Sequence, residues 1–249
     1  MRWECPVRSG PLQQTKPVIN STSASSPPAG YRVPREVIAL SVRCYLRYSL
    51  SYRDVEELLI ERGIVVDHVT IYRWVQTFTA EFIDAARPTR HTTGDRWFVD
   101  ETYVKVAGRW TYLDRAVDQH GQLMDVLRSE RRDGPPARAF FTRALKFGAV
   151  PIELTSDRAP AYPRTIDDLA PQARHVLAQY ANNRIESDHG RLKARLPPMR
   201  GLTHLSSAAT TAAGHAFVHN LRQGHYELTT DLPPPDRVRN AFTELATCP

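Results

Sequence analysis

At 249 residues the chain is long enough to bury a large hydrophobic core, in one large domain or in a small and a medium one. Hydrophobic residues make up 41% and charged residues 24% of the chain, which is a globular composition, and no run of about 18 apolar residues indicates a membrane span. The formal net charge of +6 and the pI of about 9.4 predict a polyanionic partner, with nucleic acid as the first candidate.

The start of the chain and its cysteines indicate the cellular compartment. The start of the chain, Met1 to Pro6, lacks the apolar core of a signal peptide, so we expect a cytoplasmic protein with no membrane partner. Cys5, Cys44 and Cys248 are odd in number and widely spaced, which supports neither a disulfide framework nor a zinc site. We expect them to be free thiols.

Three short helices are predicted after a leader over 1–30, whose Ser- and Pro-rich composition predicts disorder. An apolar stripe predicts the first helix between Pro34 and Tyr48. An S-x-x-D capping pattern at Ser51 starts the second helix, and Gly63 suits its end. Asp67 can cap a third helix, whose buried side would hold Ile71, Trp74, Val75 and Phe78.

This outline is that of a helix-turn-helix, whose last helix enters the major groove of DNA. The third helix would leave His68, Thr70, Arg73 and Gln76 outside, and these residue types can contact phosphates and base edges. Any small helical domain could share the outline, so DNA binding depends on the rest of the chain.

Alternating segments follow a linker near 88–94. Three β-rich runs with Gly-containing turns, 97–106, 110–118 and 123–127, predict an antiparallel meander. A helix over 137–147 would lead to a short strand over 151–157 that ends on an acid. The remaining pattern predicts a helix over 163–173, a fifth strand over 175–178, a helix from the Asn182-Asn183 pair to Arg195, a helix over 206–221 and a Pro-rich tail.

Three carboxylates in this scheme can meet at one edge of the sheet. Asp100 follows the apolar run of the first strand, Asp157 ends the fourth strand, and Glu186 lies in the first turn of a helix. Converging carboxylates repel one another unless cations neutralise them, so the site calls for Mg²⁺ or Mn²⁺. Two such ions can activate a nucleophile on one side of a phosphodiester and stabilise the leaving oxygen on the other. Lys193 shares the helix face of Glu186 and could grip a DNA backbone.

Three segments of the second part of the chain carry a family resemblance: WFVDETYVKV with GRWTYL (97–113), TSDRAPAY (155–162) and NNRIESDHGRLK (182–193). Together they resemble the insertion-sequence-six family of DDE transposases, and the resemblance covers about residues 31–226. The helix-turn-helix segment also matches, through SYRDVEE (51–57), ERG (61–63) and TIYRWV (70–75).

The resemblance implies an α+β fold, with a ribonuclease-H-like mixed five-stranded sheet flanked by helices, as in the retroviral integrase superfamily, and an N-terminal all-α helix-turn-helix domain. It implies that Asp100, Asp157 and Glu186 bind two Mg²⁺ ions, which Mn²⁺ could replace, and that Lys193 contacts DNA. Arg191 on the same helix is a further DNA-binding candidate.

The implied activity is metal-dependent cleavage of the ends of a bacterial insertion sequence, followed by strand transfer into target DNA, with replicative transposition as the outcome. The implied partners are double-stranded DNA, as terminal inverted repeats and as target, and at least one further copy of the chain. We expect the protein to be nucleoid-associated when bound to DNA.

The expected domains are a leader (1–30), a helix-turn-helix domain (31–87), a linker (88–95), a catalytic domain (96–226) and a C-terminal tail (227–249). The chain departs from the family pattern in having only 28 residues between Asp157 and Glu186, and we expect the missing residues to come from a surface helix or loop. Two alternatives stay open: a decayed transposase that only occupies element ends, and a nuclease of the same fold that only hydrolyses DNA.

Overall fold

A computed structural model describes residues 32–130, 134–148, 150–156, 160–177, 183–197, 199, 202 and 204–247. Of residue 147 and residues 183–188 it describes the backbone alone. The predicted leader lies outside the described residues, as does Asp157.

The three N-terminal helices form where the sequence predicts them. They are α1 (Arg35–Tyr48), α2 (Tyr52–Ile60) and α3 (His68–Ala86). Ser51 and Asp54 complete a capping box, in which each side chain accepts the backbone N–H of the other residue, at 3.2 and 2.7 Å. Gly63 adopts a φ of +74° in the turn between α2 and α3, a conformation that suits glycine.

The central sheet has five strands in the order β3-β2-β1-β4-β5. β1 (Arg96–Val106), β2 (Arg109–Asp118) and β3 (Leu123–Ser129) are antiparallel, which confirms the predicted meander. β4 (Glu153–Ser156) is parallel to β1 and to β5 (Arg174–Leu177). β1 and β4 therefore lie side by side, which is the arrangement that convergence of the predicted acids requires.

Helices cover both faces of this sheet. On one face α4 (Gly134–Phe147) and α5 (Tyr162–Leu169) bury Trp97 and Val99 of β1. On the other, α6 (Asn183–Arg195) and α7 (Leu205–Gln223) bury Val104 and Val106. A mixed five-stranded sheet flanked by helices is the fold class that we predicted. The short interval between Asp157 and Glu186 therefore still holds α5 and β5.

The C-terminal segment forms a helix, which corrects our expectation of a tail. α8 (Pro234–Thr247) buries Val238, Phe242 and Leu245 in one cluster with side chains of α1, α2, α3 and α7. Its prolines lie in the first turn, where proline is compatible with a helix, although a Pro-rich run in the sequence indicates a loop. The helix-turn-helix segment therefore shares its core with the end of the chain.

The predicted linker is fixed to the sheet. The guanidinium of Arg90 donates hydrogen bonds to the carbonyls of Leu123 and Met124, at 2.7 and 3.3 Å. The amide of His91 donates to the carbonyl of His225 at 3.0 Å.

Among the described residues, every helix is too short or too polar to span a membrane.

Cys44 is the cysteine that the described residues include, and it is a free thiol whose pKa is raised by burial. Cys5 and Cys248 lie outside those residues.

Candidate active site

Asp100 lies at the point where β1 loses its neighbour β4. The two strands pair from Arg96 to Val99, so Asp100 is the first residue of β1 beyond the paired segment. Its side chain is 14% exposed, and its Oδ1 accepts a hydrogen bond from the Glu101 amide at 2.9 Å. A partly exposed carboxylate at the end of a strand pair can reach a ligand from solvent.

The register of β4 bears on the second predicted acid. Val99 pairs with Ser156, so Asp100 and Asp157 each follow one member of the same strand pair. Asp157 itself lies outside the described residues. The strand end before it is held by a 2.8 Å hydrogen bond between the Ser156 hydroxyl and Nε2 of His175. Burial lowers the pKa of His175, which favours the neutral imidazole.

Helix α6 brings a third group to Asp100. Nδ1 of His189 lies 3.5 Å from Oδ2 of Asp100, and the imidazole is almost fully buried. Glu186 precedes His189 by three residues on α6, a spacing at which two residues share one face of a helix. The side chain of Glu186 lies outside the described residues. Sequence reasoning missed His189, although its spacing from Glu186 was a usable signal.

Arg115 was missed as well. It lies directly opposite Asp100 in the antiparallel register of β1 and β2, and its side chain is fully buried. A buried guanidinium beside a strand position that carries a carboxylate offsets negative charge there. The sequence gives no periodic signal for this, because Arg115 lies in an otherwise ordinary strand pattern.

Lys193 and Arg191 are both exposed on α6 and face different surroundings. The ammonium of Lys193 lies 4.4 Å from the centre of the Tyr103 ring on β1. Burial lowers the pKa of Arg222, and the charges of Arg47 and Arg191 add to this shift. The structure therefore brings Lys193, but not Arg191, to the same strand as Asp100.

A cluster of guanidinium groups lies where α1, α6 and α7 meet: Arg47, Arg191, Arg195 and Arg222. Burial and the charge of Arg47 lower the pKa of Arg195 to about 10. Arg195 also approaches Nδ1 of His215 at 3.1 Å. Grouped positive charges of this kind attract polyanions.

The four predicted contacts on α3 differ in their surroundings. Nδ1 of His68 lies 3.0 Å from Oε2 of Glu56, and the Thr70 hydroxyl donates to the capping carboxylate of Asp67. Arg73 is exposed. Gln76 is half-buried against α7, where its Oε1 accepts a hydrogen bond from Thr210 at 3.1 Å. Gln76 therefore does not face outward as the helical pattern predicted, because α7 covers that side of α3.

No group of three or more metal-ligating side chains occurs within the described residues. The predicted set is only partly among them, since Asp157 and the Glu186 side chain are excluded. Asp100 is the acid of this set whose side chain is described. Its partly exposed carboxylate suits a hard divalent cation.

Comparison with known proteins identifies the family. Residues 94–225, more than half of the chain, match the family model of the DDE domain of IS240-type transposases. The chain belongs to the insertion-sequence-six family of DDE transposases. A DDE transposase cleaves DNA and transfers strands, so this transposase is an enzyme.

Two relatives in Staphylococcus aureus are similar over the same length of this transposase. The transposase for insertion sequence-like element IS431mec (strain N315) is 39% identical over 167 residues, which cover 65% of this chain and 74% of that one. The transposase for insertion sequence element IS257 in transposon Tn4003 is 38% identical over 167 residues, with the same coverage. Among solved structures, the HTLV-2 integrase catalytic core domain in complex with magnesium (trimeric form) is 17% identical, with a TM-score of 0.40, over 53% of this chain and 88% of that one.

Proposed function

We propose that this transposase binds the ends of its insertion sequence, and that Asp100, Asp157 and Glu186 hold the divalent metal ions of the reaction. The observation that carries the proposal is the position of Asp100. It lies beyond the end of the β1–β4 pair and 3.5 Å from a histidine of the helix that carries Glu186. Family membership supports the same three residues as the DDE set.

Cleavage and transfer are two displacements at phosphorus. In cleavage, the oxygen of water bonds to the phosphorus at the element end and the P–O3′ bond breaks, which leaves a 3′-hydroxyl and a 5′-phosphate. In transfer, that 3′-hydroxyl oxygen bonds to a phosphorus of the target and a target P–O3′ bond breaks. Each attacking oxygen loses a proton to solvent, and each leaving oxygen gains one.

Mg²⁺ or Mn²⁺, when bound, supplies Lewis-acid stabilisation of the attacking and leaving oxygens, and we propose two ions. The oxygen ligands of the three acids suit these cations. His189 restricts the orientation of the Asp100 carboxylate, as residues that contact metal ligands do. Arg115, buried opposite Asp100, offsets part of the negative charge of the acids.

DNA binding involves both halves of the molecule in this proposal. Arg73 on α3, together with His68 and Thr70, would contact the terminal repeat. The arginine cluster at the junction of α1, α6 and α7 would follow the phosphate backbone, and Lys193 would lie near the reacting phosphate. The partner is double-stranded DNA, as element end and as target, so the protein would work in the cytoplasm at the nucleoid. Joining two ends requires at least a dimer.

The test uses the purified full chain and a labelled duplex that carries the terminal inverted repeat from the DNA flanking the gene. We expect Mg²⁺-dependent release of a 3′-hydroxyl end and, with a target plasmid, a joined strand-transfer product. End binding without cleavage would indicate a regulator, and cleavage without joining would indicate a nuclease. Light scattering of the DNA complex tests for two or more copies.

A further inference from the structure

Two aromatic rings lie exposed, side by side, on strands β1 and β2. The Tyr103 side chain is 53% exposed and that of Trp110 is 59% exposed. Their ring centres are 5.1 Å apart, with the planes nearly perpendicular. In the strand register Lys105 pairs with Trp110 and Tyr103 with Tyr112, so these four side chains project from one face of the sheet.

The surrounding helices leave this part of the sheet open. On the same face, the side chains nearer the start of β1, Trp97 and Val99, are buried by α4 and α5. The alternate side chains, Val104 among them, are buried on the opposite face by α6 and α7. Two large rings in water forgo the stabilisation that burial would give, and large exposed apolar groups of this kind mark binding surfaces.

A lysine lies against each ring. The ammonium of Lys193 is 4.4 Å from the centre of the Tyr103 ring, and that of Lys105 is 5.9 Å from the Trp110 ring. Both distances lie within the range of cation–π attraction. We call Tyr103, Lys105, Trp110 and Lys193 the aromatic platform.

The platform lies close along the chain to the candidate active site. Tyr103 lies three residues beyond Asp100 on β1, so the two side chains project from opposite faces of the strand. Lys193 lies four residues, about one helical turn, beyond His189 on α6. The same strand and the same helix therefore supply both the acid site and the platform.

The chemistry of the platform selects its ligand. Exposed ring faces favour a flat aromatic group, and two ammonium groups favour an anion. Unpaired nucleotides offer both, since each has an open base face and a phosphate. Bases inside a duplex are stacked on their neighbours and cannot stack on a protein ring.

Trp110 also borders a groove of about 770 Å³ that reaches the start of α7. Arg109 and His204 line it, together with Glu130. A strand that leaves the rings could follow this groove past Arg109.

We propose that the aromatic platform binds an unpaired segment of the DNA strand next to the cleavage point, with a base stacked on Trp110 or Tyr103 and a phosphate near Lys193. This inference rests on the proposed function, because it places the platform beside the DNA end that the proposed reaction cleaves. It adds a second mode of binding, to single-stranded DNA, which needs neither the terminal repeat nor metal.

The first test measures binding of the full chain to a labelled ten-nucleotide single strand of arbitrary sequence, without divalent metal. Loss of one base stacking contact weakens affinity about fivefold to a hundredfold, so we expect Trp110→Ala and Tyr103→Ala each to raise Kd within that range. Trp110→Phe should keep most of the affinity. The matched control is Ile152→Ala, an exposed apolar side chain just before β4, which should leave Kd unchanged.

The second test uses the fluorescence of Trp110. Trp74 and Trp97 are buried, so in a Trp3→Phe background the accessible tryptophan among the described residues is Trp110. We expect the single strand to quench its emission and a blunt duplex of unrelated sequence to quench it much less. Unchanged emission at saturation, or an unchanged Kd for Trp110→Ala with intact circular dichroism, would overturn the proposal.

Other results would distinguish the platform from an interface between copies of the chain, and its failure from failure of the proposed function. If Trp110→Ala shifts the sedimentation of the free protein and leaves single-strand binding intact, the face is an interface between copies and the proposal is wrong. If the platform binds single strands while wild type never cleaves an element end, the proposed function fails and the platform stands. Asp100→Asn should keep the quenching, since the acid is not part of the platform.

Discussion

Asn220 on α7 exchanges two hydrogen bonds with the backbone of Leu123 on β3. The Leu123 amide donates to Oδ1 of Asn220 at 2.9 Å, and Nδ2 of Asn220 donates to the Leu123 carbonyl at 2.7 Å. Both residues are 2% exposed. The side-chain amide thus replaces the partner that a strand would provide at this edge of the sheet, and it joins the helical core to the catalytic sheet.

Asn220→Ala should therefore destabilise the whole chain. The substitution leaves the buried N–H of Leu123 without its partner, whereas the Leu123 carbonyl keeps the hydrogen bond from Arg90, so we expect a loss of about 1–3 kcal/mol in the free energy of unfolding. Urea unfolding followed by circular dichroism measures it. Asn240→Ala on α8 is the control, because among the described residues Nδ2 of Asn240 donates to the Asp236 carbonyl within its own helix turn. Equal losses in both variants would contradict this role of Asn220.

The sequence predicted most of the elements because local signals mark them. The capping box at Ser51, the cap at Asp67 and the turn at Gly63 each act within a few residues, and all three are present. The sharing of α7 between two cores was not predictable from such signals. The burial of Gln76 by α7 was not predictable either, because its partner Thr210 lies 134 positions further along the chain.

The candidate site depends on both local and long-range information. Short motifs give the chain positions of the three predicted acids, whereas the packing of α6 places His189 beside Asp100 and the register of β2 places Arg115 opposite it. The Pro-rich C-terminal segment likewise packs as the helix α8 because α1 and α7 provide an apolar surface for it, and no local signal indicates this surface.

Substitution of the acids tests the proposed metal site. Asp100→Asn, Asp157→Asn and Glu186→Gln should each reduce Mg²⁺-dependent end cleavage at least about a thousandfold and leave end binding nearly intact, because metal ligation alone is lost. Gel-based cleavage and gel-shift assays on the same preparations measure the two properties. Asp231→Asn, at an exposed position after α7, is the charge-matched control and should cleave normally. Any of the three variants that retains turnover would remove its residue from the site.

Substitution of α3 residues tests the predicted recognition helix. Arg73 is exposed, and Arg73→Ala should weaken binding of the terminal repeat about fivefold to a hundredfold through lost base or phosphate contacts. Gln76→Ala should leave DNA affinity unchanged and lower stability by about 1 kcal/mol, since Gln76 bonds to Thr210. Gel-shift titration and urea unfolding separate the two effects. If Arg73→Ala binds like wild type, α3 does not read the repeat.

Lys193 should contribute one phosphate contact. Lys193→Ala should reduce end affinity and lower the slope of log K against log salt by about 0.9, the value for one counterion released. Fluorescence anisotropy at several salt concentrations gives the slope. Lys146→Ala in the last turn of α4 serves as the lysine control and should keep the wild-type slope. Identical slopes for Lys193→Ala and wild type would exclude a phosphate contact.

His225 should make stability depend on pH. Burial lowers its pKa to about 4, below the usual 6.5, with neighbouring Asp118 opposing the shift and His219 adding to it. Between pH 6.5 and 4 the unfolded chain therefore binds more protons at this residue than the folded chain does, so stability falls as pH falls through that window and is level above it. Because His225 is partly exposed, we expect a contribution of only about 1 kcal/mol. Urea unfolding at pH 7.5 and pH 5 measures how far the free energy of unfolding falls with pH. This fall should be smaller for His225→Gln than for wild type. It should equal the wild-type fall for His120→Gln, which changes a histidine in an exposed turn. A decrease in His225→Gln equal to that of wild type would assign the pH dependence to other groups.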